Sequence, residues 1–445
     1  MSKRTLRWHG KLILLDPDQG SKVAEDWLRF AHNHVAGQPR LLDVVAQGLE
    51  KFTAGVRDPD KPIFGVLGLG PSGSGKTFVP QVLADFLFGS RDGLIRIDGQ
   101  DFPSRHDVER LTGATPGYIG YEDEPVFTQE KLDRPAFNAR KREFILNLPE
   151  EKKRALGALQ ERLRGLRTRL KGAASVPPGF APIVTGPISE EIKRVQEEIS
   201  QIGHPIYNPR IEKYLSIVLC DEIGRADKAL HNLLFKILDE GRLETVSWGT
   251  VSFRNTFLFL TDNAGSLGIA DKLRQMSGKE VQMGFHSGSG AAADAEADDH
   301  EIYKIAMKEA RKVFETPFLN RMSQIVVARP LRREDLQRIL EIKIRELHDL
   351  LVGQRCPMLI QISRGVRNFL VNEALDSPEE NARLLVKKLE SRVTQKLMRL
   401  ILTDQIREGD CVVVTFNPSS VGKIRFQKIP HDGGEKQRLL VPPGA

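Results

Sequence analysis

Eight consecutive residues, Gly70-Pro71-Ser72-Gly73-Ser74-Gly75-Lys76-Thr77, carry the clearest chemistry in this chain of 445 residues. They satisfy the spacing G-x-x-x-x-G-K-[ST] and follow the apolar run Ile63 to Leu69, so the segment reads as a buried strand feeding a glycine-rich turn that opens a helix near Thr77. Glycines let backbone N–H groups converge on phosphate oxygens, and the helix N-terminus adds partial positive charge. All eight residues are assigned to a bound nucleotide, with Lys76 reaching the β- and γ-phosphates of ATP and the Thr77 hydroxyl ligating Mg²⁺.

Phosphoryl transfer also needs carboxylates. The run Ile217-Val218-Leu219-Cys220-Asp221-Glu222 reads as a strand ending in two acids. At the carboxyl end of a parallel strand beside the phosphate loop, Asp221 would join Thr77 in holding Mg²⁺, and Glu222 would polarise the attacking water. A further apolar run, Asn255 to Leu260, leads into Thr261-Asp262-Asn263, which puts a polar amide at a third strand end. An asparagine capping that turn is the structural alternative.

The elements that must position these residues follow from periodicity. Leu42, Val45 and Leu49 mark one helical stripe, which ends before the turn at Asp58-Pro59-Asp60. Phe78 to Phe88 reads as a helix and Leu94 to Ile97 as a second strand, the alternation of a parallel sheet with crossover helices. Residues 1–34 hold only a short amphipathic run, Val23 to His32, and are expected to be an extension. The ATPase domain is placed at 35–330. Its interval 264–313 is expected to be a flexible loop because it includes the small-residue acidic tract SGSGAAADAEADDH. A C-terminal domain over 331–430 begins with a helix whose stripe is Leu336, Leu340, Ile344, Leu347 and Leu351. It continues with strands at Leu359 to Ser363, Cys411 to Phe416 and Lys423 to Ile429. The tail from His431 has the composition of a disordered segment.

Residues 135–207 break this pattern. Leu156, Leu159, Leu163, Leu166 and Leu170 follow alternating steps of three and four, as do Ile188, Ile192, Val195, Ile199 and Ile202. A proline- and glycine-rich connection lies between them; the first arm is basic, and the second carries Glu190-Glu191 and Glu197-Glu198. Opposite charge favours pairing the two arms as a coiled-coil hairpin.

The whole-chain figures exclude several classes. The sequence is 40% hydrophobic and 28% charged, ordinary for a globular protein, and no apolar stretch approaches the ~20 residues of a membrane span. The apolar run near the N-terminus is too short for a secretory signal, with an organelle-targeting reading the lesser alternative. Cys220, Cys356 and Cys411 are few and far apart, which argues against disulfides or a zinc site and fits a cytoplasmic protein. A net charge of +7 is weak support for nucleic acid as a partner.

The segment IRIDGQDFPSRHDVERLTGATPGYIGYEDE, taken with the motifs above, resembles the Clp unfoldase and disaggregase family of AAA+ ATPases. The likeness is greatest to the second, C-terminal ATPase module of ClpA, ClpB and ClpC, and covers roughly residues 35 to 428. The resemblance implies an α/β fold: a P-loop parallel sheet with flanking helices, the inserted helical hairpin, and a small, mostly helical C-terminal lid. It implies that Tyr118, Ile119 and Gly120 form a pore loop gripping substrate polypeptide, and that Asn263 senses the γ-phosphate, although the family's middle serine is Asp262 here. It implies that Arg321, ending FETPFLNR, acts on the neighbouring subunit's nucleotide, and that Arg383 contacts the γ-phosphate from the lid. The glycine and proline of that last family motif are Asn381 and Leu384. Gly37 and Gln38 are also placed at the nucleotide. Met283-Gly284-Phe285 is similar to the tripeptide with which such unfoldases dock a ClpP-like peptidase.

The expectation is therefore an ATPase, with ATP and Mg²⁺, assembling as a homo-oligomeric ring of six. It would unfold or disaggregate protein substrates by threading them through a pore, with an adaptor or peptidase as a further partner. Two other classes remain: a nucleic-acid motor or loader, and an ATP-gated interaction scaffold using the basic hairpin.

Overall fold

A computed structural model describes residues 16, 19–113, 124–173, 181–202, 207, 214–246, 248–266, 268–269, 291–329, 331–353, 358–375, 381–418 and 424–429. Tyr118, Ile119 and Gly120, expected to form a pore loop, the tripeptide Met283-Gly284-Phe285, Cys356 and the tail from His431 lie outside them.

The chain opens with α1 (Lys22–His32) and α2 (Pro39–Ala54), then β1 (Phe64–Leu69), the phosphate loop and α3 (Phe78–Phe88). Next come β2 (Ile95–Asp98), α4 (Arg105–Thr112), α5 (Gln129–Asn147), α6 (Glu150–Ala173) and α7 (Ala181–Gln201). After them come β3 (Ser216–Asp221), α8 (Lys228–Glu240), the small hairpin β4 (Arg242–Thr245) and β5 (Gly249–Ser252), and β6 (Thr256–Thr261). This domain closes with α9 (Ala291–Val313), α10 (Thr316–Arg321) and β7 (Gln324–Val327).

Five strands form one sheet in the order β2-β3-β6-β1-β7, all pairs parallel. β1, β3 and β6 are buried along their whole length, because helices cover both faces of the sheet. Phe64, Val66, Ile217, Leu219, Phe257 and Phe259 point to the face covered by α1, α2 and α3. Leu67, Leu69, Val218, Cys220, Leu258 and Leu260 point to the face covered by α4, α8 and α9. The parallel arrangement brings the carboxyl ends of all five strands to one edge, where ligands bind in open α/β sheets.

The second unit has α11 (Arg333–Val352), β8 (Leu359–Ile362), α12 (Arg364–Leu375), α13 (Asn381–Leu389), α14 (Gln395–Leu402), β9 (Cys411–Phe416) and β10 (Ile424–Ile429). It has its own core, from Leu336 and Leu340 through Val371 to Val414. Its three strands make a separate sheet in the order β10-β9-β8.

Two expectations are corrected. The N-terminal segment is not wholly an extension: α1 packs into the large domain, with Trp27 and Ala31 fully buried and the Trp27 indole Nε1 donating to the Leu42 carbonyl at 3.0 Å. The amphipathic run from Val23 supplies that buried face. The interval 264–313 is not a loop throughout, because α9 occupies its second half and buries Ile302, Ala306 and Ala310 in the core. Alanine has the highest helix propensity, and acidic residues toward the start of a helix suit its dipole, so composition misleads here.

The inserted arms form the expected helical pair. α6 and α7 share a small core of Leu156, Leu166, Val195 and Ile199, and Arg162 donates to Glu191 at 2.8 Å. Trp27→Ala is expected to lower the unfolding free energy by about 3–5 kcal/mol, the usual cost of emptying a buried aromatic site. Chemical denaturation checks it, and an unchanged midpoint would return α1 to the status of an appendage.

Candidate active site

The phosphate loop, the ends of β3 and β6, and the lid enclose a cleft of about 480 Å³, within the range of small-molecule sites. Ser72 through Phe78 form its floor, Asp221, Glu222 and Asn263 one wall, and Leu331, Ile339, Ile342, Lys343, Arg383, Val386 and Lys387 the lid side. Gly73 and Gly75 have φ of 75° and 96°, values that side-chain-bearing residues rarely adopt, so the loop depends on glycine there.

Lys76 is buried beneath the loop. Its Nζ donates to the carbonyls of Gly70 and Pro71, each at 2.7 Å, and to Asn263 Oδ1 at 3.2 Å. Burial lowers its pKa to about 8, opposed by the negative charge of Asp221, Asp262 and Glu222. The Asn263 amide spans the site: Oδ1 accepts from Lys76, while Nδ2 donates to Glu222 Oε1 at 3.0 Å. The ammonium can only donate and the carboxylate only accept, so this orientation of the amide is fixed by its neighbours.

Glu222 stands at φ 50°, ψ 43°, a left-handed conformation uncommon for a residue with a side chain. Its Oε2 accepts from Gln100 Nε2 at 2.8 Å and pairs with Arg225 Nε at 3.1 Å. Asp221 accepts from the Thr77 hydroxyl at 2.9 Å on Oδ1 and from Arg96 at 2.9 Å on Oδ2. The Thr261 hydroxyl also donates to Asp221 Oδ1.

Thr77 and Asp221 are two hard oxygen donors in mutual contact. That set fits Mg²⁺, which is held by one or two protein oxygens and otherwise by water and phosphate. Among the described residues no cluster of three His, Cys, Asp or Glu side chains could hold a metal without such help.

The cleft thus gathers Ser72, Gly73, Ser74, Gly75, Lys76, Thr77, Asp221, Glu222, Asn263 and Arg383. Gly70 and Pro71 contribute carbonyls to Lys76 instead. Gly37 and Gln38 do not line the cleft, in contrast to their assignment. Gln38 exchanges hydrogen bonds with the backbone of Arg329, at 2.8 and 3.3 Å, while the preceding His34, Val35 and Ala36 form the wall. Arg321 lies elsewhere: its Nε pairs with Asp239 at 3.0 Å, its guanidinium sits over the Phe235 ring, and the side chain is 43% exposed. Sequence reasoning missed Arg96, Gln100 and Thr261, and it missed the apolar lid wall of Leu331, Ile339 and Ile342. The α11 stripe of Leu336, Leu340 and Ile344 fills the second unit's own core and gives no signal for that wall.

Comparison with known proteins bears on the fold that carries this cleft. The family model described as "AAA domain (Cdc48 subfamily)" matches residues 61–137 and 203–325, passing over the inserted hairpin. The model for the "C-terminal, D2-small domain, of ClpB protein" matches residues 331–414. Together they match more than half of the chain. The chain belongs to the Clp-type AAA+ ATPases. Within this family it is similar to the ATP-dependent Clp protease ATP-binding subunit ClpC of Staphylococcus saprophyticus, with 27% identity over 91% of this chain and 36% of the relative. For ClpC of Staphylococcus aureus strain USA300 the figures are 26%, 86% and 35%. The chain therefore spans about a third of the length of the curated relatives it matches. Among solved structures the fold matches Hsp104 bound to ATPγS and FITC-casein, with a TM-score of 0.60 and 21% identity over 91% of this chain and 51% of that one. It matches the extended Saccharomyces cerevisiae Hsp104–casein complex at the same score and identity, over 89% and 51%. Among the described residues no helix is long and apolar enough to cross a membrane.

The depressed Lys76 pKa has a measurable consequence. Polyphosphate replaces carbonyl partners with negative charge and restores the ordinary lysine range. ATP binding at about pH 8.5 is therefore expected to take up protons, and affinity to fall as pH rises through about 8. Calorimetry in buffers of different ionisation enthalpy reads the uptake; its absence would show that Lys76 is already charged before ATP arrives.

Proposed function

We propose that this chain hydrolyses ATP as the motor module of a Clp-type ring that pulls polypeptide through a central pore to unfold or disaggregate it. The observation that carries the reading is the continuous link Lys76–Asn263–Glu222 beside the Thr77–Asp221 pair, in a cleft that the lid closes with Arg383. Lys76 holds the phosphates. Glu222 accepts the proton of the attacking water, and Asn263, which reaches both Lys76 and Glu222, fixes where that water stands relative to the γ-phosphate. Thr77 and Asp221 would hold Mg²⁺, which when bound would supply positive charge against that developing on the phosphate. Arg383, arriving from the lid, ties nucleotide state to the angle between the domains, which is how hydrolysis becomes movement.

Arg321 faces away from this cleft and serves the nucleotide of an adjacent copy. That requires a homo-oligomer, of six subunits by family resemblance. Tyr118, Ile119 and Gly120 grip the substrate, since an aromatic on a glycine-hinged loop packs against varied side chains without reading sequence. The Hsp104 structures similar in fold were solved with casein, which supports protein as the substrate class here. The hairpin of α6 and α7 recruits substrate or an adaptor, and Met283-Gly284-Phe285 offers a contact for a ClpP-like peptidase. The reading places the protein in the cytoplasm.

ATPase rate measured with unfolded polypeptide, with nucleic acid and with neither tests the motor. Stimulation by polypeptide alone is expected, and it should vanish in Tyr118→Ala while basal hydrolysis persists. Stimulation by DNA or RNA, falling steeply with salt, would instead favour a nucleic-acid motor. The shared site is tested by complementation. Glu222→Gln and Arg321→Ala should each lose on the order of 10³-fold in turnover. Mixed rings of the two should regain activity, because some interfaces then combine an intact Glu222 with an intact Arg321. No recovery on mixing would place Arg321 outside the reaction.

A further inference from the structure

Three consecutive residues at the end of β6 reach across to the turn that carries Glu222, and only the outer two have an obvious task. Thr261 donates to Asp221 and accepts from the Glu222 amide at 3.2 Å, and Asn263 holds the Glu222 carboxylate. Between them Asp262 is 7% exposed and does not line the cleft. Its Oδ2 accepts from the Gly224 amide at 2.8 Å and its Oδ1 from the Ala264 amide at 2.8 Å. One carboxylate thus joins the backbone two residues after Glu222 to the backbone one residue after Asn263.

We propose that Asp262 is a positioning residue that holds the water-activating Glu222 and the phosphate-sensing Asn263 in mutual register; this deepens, and rests on, the hydrolytic reading of the site. A buried carboxylate is costly unless its charge is met by donors, and here two backbone amides meet it. It cannot serve as the base, because both oxygens face amides behind the cleft. The strained left-handed backbone at Glu222 needs external support, and the Gly224 amide is where that support attaches. Gly224 fits the arrangement from the other side: a Cβ there would collide with Asp262 Oδ2 and with Val313. A short hydroxyl or an apolar side chain at 262 could not span both amides.

Two variants attack the link from opposite sides, Asp262→Ala and Gly224→Ala, with Asp262→Asn as an isosteric change that leaves a single acceptor oxygen. Expected are a kcat loss on the order of 10²-fold for the two alanine variants and about tenfold for Asp262→Asn, with the KM for ATP changed less than threefold. In a Glu222→Gln background the same changes should cost nothing further in kcat, because they act through Glu222. Unchanged kcat in Asp262→Ala, a KM that rises in step with the kcat loss, or a full additional loss in the Glu222→Gln background would each overturn the proposal. Backbone hydrogen exchange supplies a readout independent of turnover. The amides of Gly224 and Ala264 should exchange faster in Asp262→Ala while the β1 and β3 amides keep their protection. If the wild-type protein failed to hydrolyse ATP, the hydrolytic reading would fall, and unaltered exchange at those two amides would still separately refute the link.

Discussion

The site depends on the register between β3 and β6, neighbouring parallel strands whose ends must stop level with each other and with the phosphate loop. Cys220 lies opposite Leu260, and Gly68 on β1 opposite Thr261, so Asp221, Glu222, Thr261 and Asn263 emerge at the same height. A slip of one residue would exchange the two faces of a strand and send each functional side chain the wrong way. The alternation of buried side chains between two hydrophobic cores fixes that register firmly, since a slip would misplace Val218, Leu219, Leu258 and Phe259 together. Chemistry at the strand ends is therefore held in place by packing well behind it.

With the level set, the polar groups form a closed set of partners. Asp221 is held by Thr77, Arg96 and Thr261, and Glu222 by Gln100, Arg225 and Asn263. The Lys76 ammonium, its pKa lowered by burial to about 8, is satisfied by two carbonyls and an amide oxygen. These partners are ones a polyphosphate can displace. The site is pre-arranged for anionic ligand, because the donors are already in place and lose little freedom on binding.

The phosphate loop, the two acids, Asn263 and most strands were legible because each depends on local pattern: a glycine spacing, an apolar run, a strand end. What escaped depends on contacts between distant segments. Gln100 and Arg96 follow or lie on a short strand with no motif of their own, and they matter only because β2 pairs with β3. Gln38 looked like a nucleotide contact, yet its amide is spent on Arg329, 291 residues away, where it braces the start of the lid. α1 and α9 were hidden for a different reason. Their polar composition suggested extension and linker, and only the short stripes Trp27–Ala31 and Ile302–Ala306–Ala310 reveal that each buries one face.

On the proposed reading one copy is incomplete, because Arg321 serves the nucleotide of its neighbour. Arg321 ends the short helix α10, outside the cleft, with its charge balanced by Asp239 and its plane against Phe235. An ion pair at that exposure contributes little to stability, so its geometry is easily given up for a better anion. The helix and its approach are tied to the turn that carries Glu222: Phe318 on α10 and Phe314 just before it pack against the His231 ring, whose Nε2 lies 2.7 Å from the Ile223 carbonyl. Drawing Arg321 toward a neighbour's phosphates would load that aromatic contact and, through it, the turn that carries the acid. Hydrolysis at one interface would then bear on readiness at the next, through residues in van der Waals contact within a single chain.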